Sequence, residues 1–254
     1  MTEAIARFLR ASLRSAAFAV TKAAGTPLQY AQDNLATAAA ADFLSDPRFA
    51  EAYRLGLSTG HRFRSDLHIE WRVYTCCWAA AHALNLPGDF VECGVYTGIT
   101  SRAVMHYVDF ERCGDRTFYL LDTFEGIPTE QFTAAERAAG LEARYRYEGT
   151  FERVRRTFAA FPNVRIVRGA IPETLAQVVS DRVAYLAIDM NVAAPEIAAI
   201  EYFWDRLVPG AVVVLDDYNW LRHVEQRRAF DAFAASRSTQ VLALPTGQGM
   251  LVKA

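Results

Sequence analysis

The chain has 254 residues, 52% of them hydrophobic, enough to bury a sizeable core in one main α/β domain with additions. A net charge of −2 and a pI near 6.2 supply no basic field for nucleic acid, and the 25 arginines among the 27 basic residues are scattered. Apolar runs near the start are cut by Arg7, Arg10, Arg14 and Lys22, which argues against a spanning helix or a secretory leader and predicts a cytoplasmic protein with no membrane partner.

In chain order, the Arg- and Ala-rich first 25 residues offer a helical face of Ile5, Phe8, Leu9 and Leu13, suited to packing or oligomer formation, and also resemble a transit peptide. Residues 1–86 are almost free of strand signals, and "IEWRVYTCCWAAAHALNLPG" has a helical apolar pattern stopped by Pro87-Gly88. They read as a helical extension that closes the site or joins copies into a homo-oligomer, a dimer or larger. Cys76, Cys77, Cys93 and Cys113 lack zinc spacing and read as free thiols. His61, His68, His82 and His106 likewise show no ligand spacing and read as structural.

From residue 87 to 254 short apolar runs alternate with helical stretches: "DFVEC", then 98–109; "TFYLLD", then 151–161; "NVRIV", then 172–179; "VAYLAID", then 195–207; "AVVVLDD", then 223–235. This alternation predicts βαβ units in a doubly wound, mostly parallel sheet of Rossmann type. In the helix over 195–207, Pro195 suits the first turn, Ile197, Ile200, Trp204 and Leu207 repeat at helical spacing, and Pro209-Gly210 stops it. "TQVLALPTGQGMLVK" reads as an antiparallel hairpin that completes seven strands at the sheet edge. Residues 123–150 show no apolar period and read as a long lid or binding loop.

Ligands bind parallel sheets beyond the carboxyl ends of the strands, near the point where strand order reverses. Those ends carry Glu92-Cys93-Gly94, Asp122, Gly169-Ala170, Asp189 and Asp216-Asp217. The first turn lacks the G-x-G-x-x-G of a pyrophosphate site and has instead G-x-x-x-G from Gly94 to Gly98, two residues after Glu92. An acid there repels a pyrophosphate but suits the amine and sulfonium of S-adenosylmethionine, while the glycines let backbone approach a ligand. Candidate cofactor contacts are therefore Glu92, Gly94, Val95, Tyr96, Thr97 and Gly98, then Asp122 for the ribose hydroxyls with Thr123 and Phe124, then Gly169 and Ala170, and Asp189. The alternative is a plain tight turn with Glu92 as an exposed edge charge.

Asp189, Asp216 and Asp217 end strands that, if adjacent, bring three acids together without a basic partner. A divalent cation relieves that repulsion, and an all-oxygen set favours Mg²⁺. The alternative is that Asp216 or Asp217 caps the next helix and Asp189 meets cofactor or substrate directly.

"GDFVECGVYTG", "LDTFEGIP", "IDMNVAAPEIAAIEYFWDRLVPGAVVVLDDY" and "LPTGQG" together resemble the macrocin O-methyltransferase (TylF-like) family of class I S-adenosylmethionine-dependent methyltransferases, over about residues 62–252. The resemblance implies Mg²⁺-dependent methylation of a sugar hydroxyl on a natural product by an oligomer. It also implies Glu92, Gly94 and Asp122 as cofactor residues and Asp189, Asp216 and Asp217 as metal ligands. The sequence departs from the family where Asn191 stands in place of a second acid after Asp189; its carbonyl oxygen can ligate but adds no charge.

On this reading the metal fixes and acidifies a small-molecule or saccharide hydroxyl, whose proton passes to Asp189 or His223. The other role for His223 is that of an exposed residue at the start of the last large helix. Tyr145, Tyr147, Glu148 and Trp220 are candidate acceptor-wall residues, since aromatic faces stack on sugar rings. A catechol- or phenol-directed enzyme of the same fold and a non-catalytic cofactor-binding partner protein are the other functions the sequence admits.

Overall fold

A computed structural model describes residues 25, 27–60, 67–145, 147 and 149–254. The proposed helical face at Ile5–Leu13, His61 and Glu148 lie outside the described residues. The chain divides into two compact units with the boundary between Asp46 and Pro47.

In the first unit, strands β1 (Tyr30–Gln32) and β2 (Leu35–Thr37) pair antiparallel. The two residues between them, Asp33 and Asn34, both have positive φ, as a tight two-residue hairpin demands. The strandless reading of this stretch is thus corrected: each strand is only three residues long, too short for alternation to register, and the turn pair was the available signal.

The second unit holds helices α1 (Pro47–Leu57) and α2 (Glu70–Ala83), followed by a seven-stranded sheet. Its strands are β3 (Asp89–Cys93), β4 (Phe118–Asp122), β5 (Val164–Arg168), β6 (Val183–Ile188), β7 (Leu207–Leu215), β8 (Leu242–Ala243) and β9 (Gly249–Val252). Their order is β5-β4-β3-β6-β7-β9-β8, parallel from β5 through β7 and antiparallel at β9 and β8. Successive strands run outward from β3 to β5, then β6 returns to the other side of β3, so order reverses between β3 and β6. Every residue of β6 is buried, as expected for a strand covered on both faces. Phe90, Phe110, Phe118 and Tyr185 pack with Phe90 at 5.1–5.8 Å from the other three ring centroids. Three of these rings stand near strand starts, so the aromatic core anchors the sheet at the end away from the candidate site.

The connecting helices are α3 (Ile99–Tyr107), α4 (Ala134–Ala138), α5 (Leu141–Arg144), α6 (Phe151–Phe158), α7 (Ala193–Trp204) and α8 (Val224–Ser236). Three expectations change. The helix expected over 172–179 is only a 3₁₀ turn at Leu175–Gln177. Helix α7 ends at Trp204, and Pro209-Gly210 sit in β7 as a bulge, where the six residues from Leu207 to Val212 oppose the three from Val183 to Tyr185. The segment expected as a loop over 123–150 carries two short helices, α4 and α5, and its Phe132 and Leu141 form a small core with Val192, just before α7.

That segment is fixed by one buried carboxylate. Thr133 caps α4 by accepting from the Glu136 amide, and Glu136 Oε2 accepts in return from the Thr133 amide at 2.7 Å, the reciprocal capping box of T-x-x-E. Glu136 Oε1 accepts from the Ala193 amide at 2.8 Å, so the same side chain ties the segment to the start of α7.

Two glycines set the close approaches of this fold. Gly94 has φ +91°, and a Cβ there would lie 2.0 Å from the Asp189 carbonyl oxygen. Gly98 has φ +87°, and its Cβ would lie 2.7 Å from the Phe158 ring. Protein packing thus restricts both positions to glycine. Gly94→Ala should lose about 3 kcal/mol or more of stability, because fixed backbone cannot yield, while Gly114→Ala, which meets nothing within 4 Å, should change it by under about 1 kcal/mol. Urea unfolding of both variants checks this. Glu136→Ala should cost about 2 kcal/mol and expose the 123–145 segment to tryptic cleavage at Arg137 or Arg144, followed by limited proteolysis.

Candidate active site

The carboxyl ends of β4, β3, β6 and β7 lie side by side, and each contributes acid to one crevice. Glu92 is buried, correcting the exposed edge charge, and its Oε2 accepts from the Ser101 hydroxyl of α3. Burial pushes its carboxyl up to about 8 against the pull of Ser101, with the charges of Asp216 and Asp122 adding to the rise.

Asp122 collects protein donors. Its Oδ2 accepts from the amides of Val95 and Tyr96, each at 2.7 Å, and its Oδ1 from the Phe124 amide at 2.6 Å and the Tyr147 hydroxyl at 3.1 Å. Tyr96 and Phe124 hold left-handed backbone, φ 51° and 60°, and the Tyr96 ring meets Tyr147 edge-on at 4.6 Å. The carboxylate therefore shapes the Gly94–Gly98 loop, and Tyr147 presents it with a hydroxyl. Thr97 is buried with its hydroxyl 3.2 Å from that of Thr59. Thr123 Oγ1 donates to the Gly126 carbonyl at 2.6 Å. The Gly169 amide donates to the Asp122 carbonyl, and the Ala170 carbonyl accepts from Thr174, so these two end β5 beside the same crevice.

On the other side of the switch point, the Asp216 amide donates to the Ile188 carbonyl, which sets Asp189 beside Asp216. Asp189 Oδ1 accepts from Asn191 Nδ2 at 3.2 Å, so Asn191 serves it as a donor. Asn191 has φ 65°, and its amide and that of Met190 donate to Glu196 Oε1 of α7 at 2.8 and 3.1 Å. Burial and the charges of Asp216 and Asp217 hold the Asp189 carboxyl well above its ordinary value. Asp217 is also raised by burial, against the pull of His223, and its Oδ2 is buried with no hydrogen-bond partner.

The expectation that the three aspartates lack a basic partner is overturned by Arg72 of α2, whose Nη1 lies 2.5 Å from Asp216 Oδ2. Gln248 Nε2, from the "LPTGQG" turn, donates to the other oxygen, Oδ1, at 3.0 Å. Both oxygens of Asp216 are thus engaged by protein donors, and among the described residues no three His, Cys, Asp or Glu side chains form a metal-holding group. Asp189 and Asp217 are different: two crowded, buried carboxyls, one with an oxygen left unpartnered, have the donor chemistry a hard divalent cation takes. Asp216 also caps no helix, since α8 begins at Val224 behind His223.

His223 is buried rather than exposed, with Nδ1 2.8 Å from Gln226 Nε2 and 3.9 Å from Asp217 Oδ2, and with Nε2 3.4 Å from the Tyr145 hydroxyl. Tyr145 packs against the Phe132–Leu141–Val192 core. Trp220 stands beside the same turn as Gln248: a Cβ on Gly247 would lie 2.5 Å from its ring, and Arg72 Cζ lies 5.6 Å from its centroid. Sequence reasoning missed Arg72, Gln248, Glu196 and Glu136. Only Glu136 carried a local signal, the T-x-x-E of its capping box.

A sheet in this order with acids gathered at its switch point defines the class I methyltransferase fold. Residues 72–242 match the family described as Macrocin-O-methyltransferase (TylF), and the chain belongs to that family. It is 31% identical over 156 residues to the 8-demethyl-8-(2,3-dimethoxy-alpha-L-rhamnosyl)-tetracenomycin-C 4'-O-methyltransferase of Streptomyces olivaceus, covering 56% of this chain and 57% of that protein. It is 31% identical over 144 residues to the demethyldecarbamoylnovobiocin O-methyltransferase of Streptomyces niveus, covering 53% and 54%. The matches thus span little more than half the length of these relatives. The solved structure of the O-methyltransferase NovP aligns with a TM-score of 0.67 at 21% identity, over 81% of this chain and 97% of that one. No helix among the described residues is long and apolar enough to cross a membrane.

Glu92 binds its proton more tightly folded, at about 8, than at its ordinary 4.5, so its burial costs stability progressively as pH rises through that window. Glu92→Gln removes the cost. Its stability advantage over the wild type should grow between pH 5 and 8 by up to about 4 kcal/mol in urea unfolding; a difference independent of pH would mean Glu92 is ionised in the fold.

Proposed function

We propose that this chain is an S-adenosylmethionine-dependent O-methyltransferase acting on a sugar hydroxyl of a glycosylated natural product. The observation that carries this reading is the acid-lined switch-point crevice, with Glu92 and Asp122 on one side and Asp189 and Asp217 on the other. The family and the rhamnosyl-bearing substrate named for the Streptomyces olivaceus relative support it.

S-adenosylmethionine, when bound, supplies a methyl group activated on a sulfonium. The Tyr147 hydroxyl at Asp122 Oδ1 supports this reading, since the carboxylate that would take a ribose hydroxyl accepts a protein hydroxyl there. Glu92 then meets the positive end of the cofactor, where a neighbouring cation favours its ionised form. The amides of Val95 and Tyr96 keep Asp122 turned toward the ribose, and Gly169 and Ala170 border the adenine side. Tyr145, Tyr147 and Trp220 form the acceptor wall.

Mg²⁺ would be held by Asp189 and Asp217 and would supply the charge that makes an acceptor hydroxyl more acidic. Asp189 takes the hydroxyl proton at its carboxylate, whose hold on a proton is raised by burial and by the charges of Asp216 and Asp217. His223, oriented by Gln226, holds the Tyr145 hydroxyl and so supports the wall.

Methyl-labelled cofactor offered with a panel of glycosides bearing free sugar hydroxyls, their aglycones and a catechol tests this reading. Label should enter the glycosides, and label entering the catechol alone would overturn it. Asp189→Asn should lower kcat by about 10²- to 10⁴-fold while calorimetry shows cofactor affinity within about threefold of the wild type.

A further inference from the structure

Glu92 and Asp122 end neighbouring strands, yet their surroundings differ. Three amides and a hydroxyl serve Asp122. Glu92 is 3% exposed, and among the described residues the Ser101 hydroxyl is the one donor to its carboxyl. Its register partners, Leu120 of β4 and Ala187 of β6, are apolar. The ionisable groups around it are Asp122 at the end of β4, Asp216 at the end of β7, Cys76 of α2, Tyr185 of β6 and the adjoining Cys93. None of these is a cation: the aspartates carry negative charge, and burial keeps both thiols and the phenol neutral. A carboxylate deprived of water, cation and amide is poorly stabilised, so this geometry favours the protonated acid.

We infer that Glu92 reads the charge on the cofactor's sulfur, releasing a proton to pair with S-adenosylmethionine and recovering one once the methyl group has left. This deepens, and rests on, the cofactor role proposed above. In the transfer a C–O bond forms at the acceptor as the C–S bond breaks, the bonding pair stays on sulfur, and the acceptor hydroxyl loses its proton. Sulfur is then neutral, and a buried Glu92 carboxylate has lost a positive neighbour, which favours its reprotonation. One proton is freed at the acceptor and one is taken up at Glu92, so the crevice regains its starting charge when the product departs. Glu92 is thus the residue by which the site holds charged cofactor more tightly than its own neutral-sulfur product.

The test is titration calorimetry on the full chain at pH 7, with S-adenosylmethionine and with S-adenosylhomocysteine, in buffers of different ionisation enthalpy, which counts protons exchanged on binding and needs no methyl transfer. Wild type should release about one proton to S-adenosylmethionine and less than about half of one to S-adenosylhomocysteine. Glu92→Gln, which keeps the shape of the side chain, should release almost none with either ligand and lose most of the preference for the cofactor. Because binding expels a proton, wild-type affinity for S-adenosylmethionine should tighten by about tenfold per pH unit from pH 6 and level off above about 8, where Glu92 is already ionised. Binding of S-adenosylmethionine without proton release, equal release with both ligands, or undiminished release in Glu92→Gln would each overturn the inference. The wild-type counts decide the question even if the variant does not fold. If the folded wild type binds neither ligand, the cofactor reading itself falls; if it binds both without exchanging protons, only this role of Glu92 is lost.

Discussion

Everything at the candidate site depends on how closely β3 and β6 part at their carboxyl ends. Gly94 turns away with a left-handed backbone so near the Asp189 carbonyl that no side chain fits between them. This contact fixes the crevice at the reversal of strand order, and it fixes Glu92 and Asp189 on its two banks. The left-handed residues Tyr96, Phe124 and Asn191 cluster around the same crevice, where the chain leaves β3, β4 and β6. Strain collects where the backbone must diverge fastest.

A crevice made this way gathers negative charge under poor solvation, and the protein answers each acid differently. Glu92 is given a hydroxyl donor and retains its proton more firmly. Asp122 is surrounded by amides, Asp189 receives the Asn191 amide, and Asp216 receives a guanidinium. Asp217 keeps an oxygen without a partner. Unequal treatment of chemically similar groups is what separates acids that shape the site from acids available for chemistry.

The sheet was legible because each of its parallel strands is a short apolar run ended by turn residues, and because acids at strand ends interrupt those runs at the place a ligand would occupy. The capping box at Thr133–Glu136 was legible in principle too, but it was hidden by the lack of an apolar period around it. Arg72 and Gln248 were not legible. A pattern along the chain reveals which face of an element is buried, and it does not reveal which distant residue meets that face. The same limit explains Pro209-Gly210, a reliable stop signal for a helix that here bends a strand, because Leu207 had already paired with Val183. Gly94 and Gly98 stood out in the sequence as special positions, while the protein partners that crowd them, Asp189 and Phe158, lie too far along the chain to be read from it.

Gln248 adds a temporal meaning to the architecture. Its buried amide joins the turn of the final hairpin to Asp216 and, at 3.4 Å, to the Arg72 carbonyl 176 residues earlier. Contacts between such remote stretches form only after long loops have closed, a slow step in the search for the native state. The parallel strands can therefore assemble and bury their core before the charges at the crevice are arranged. The arrangement of charge around Asp216 thus depends on the docking of the final hairpin, which carries Gln248.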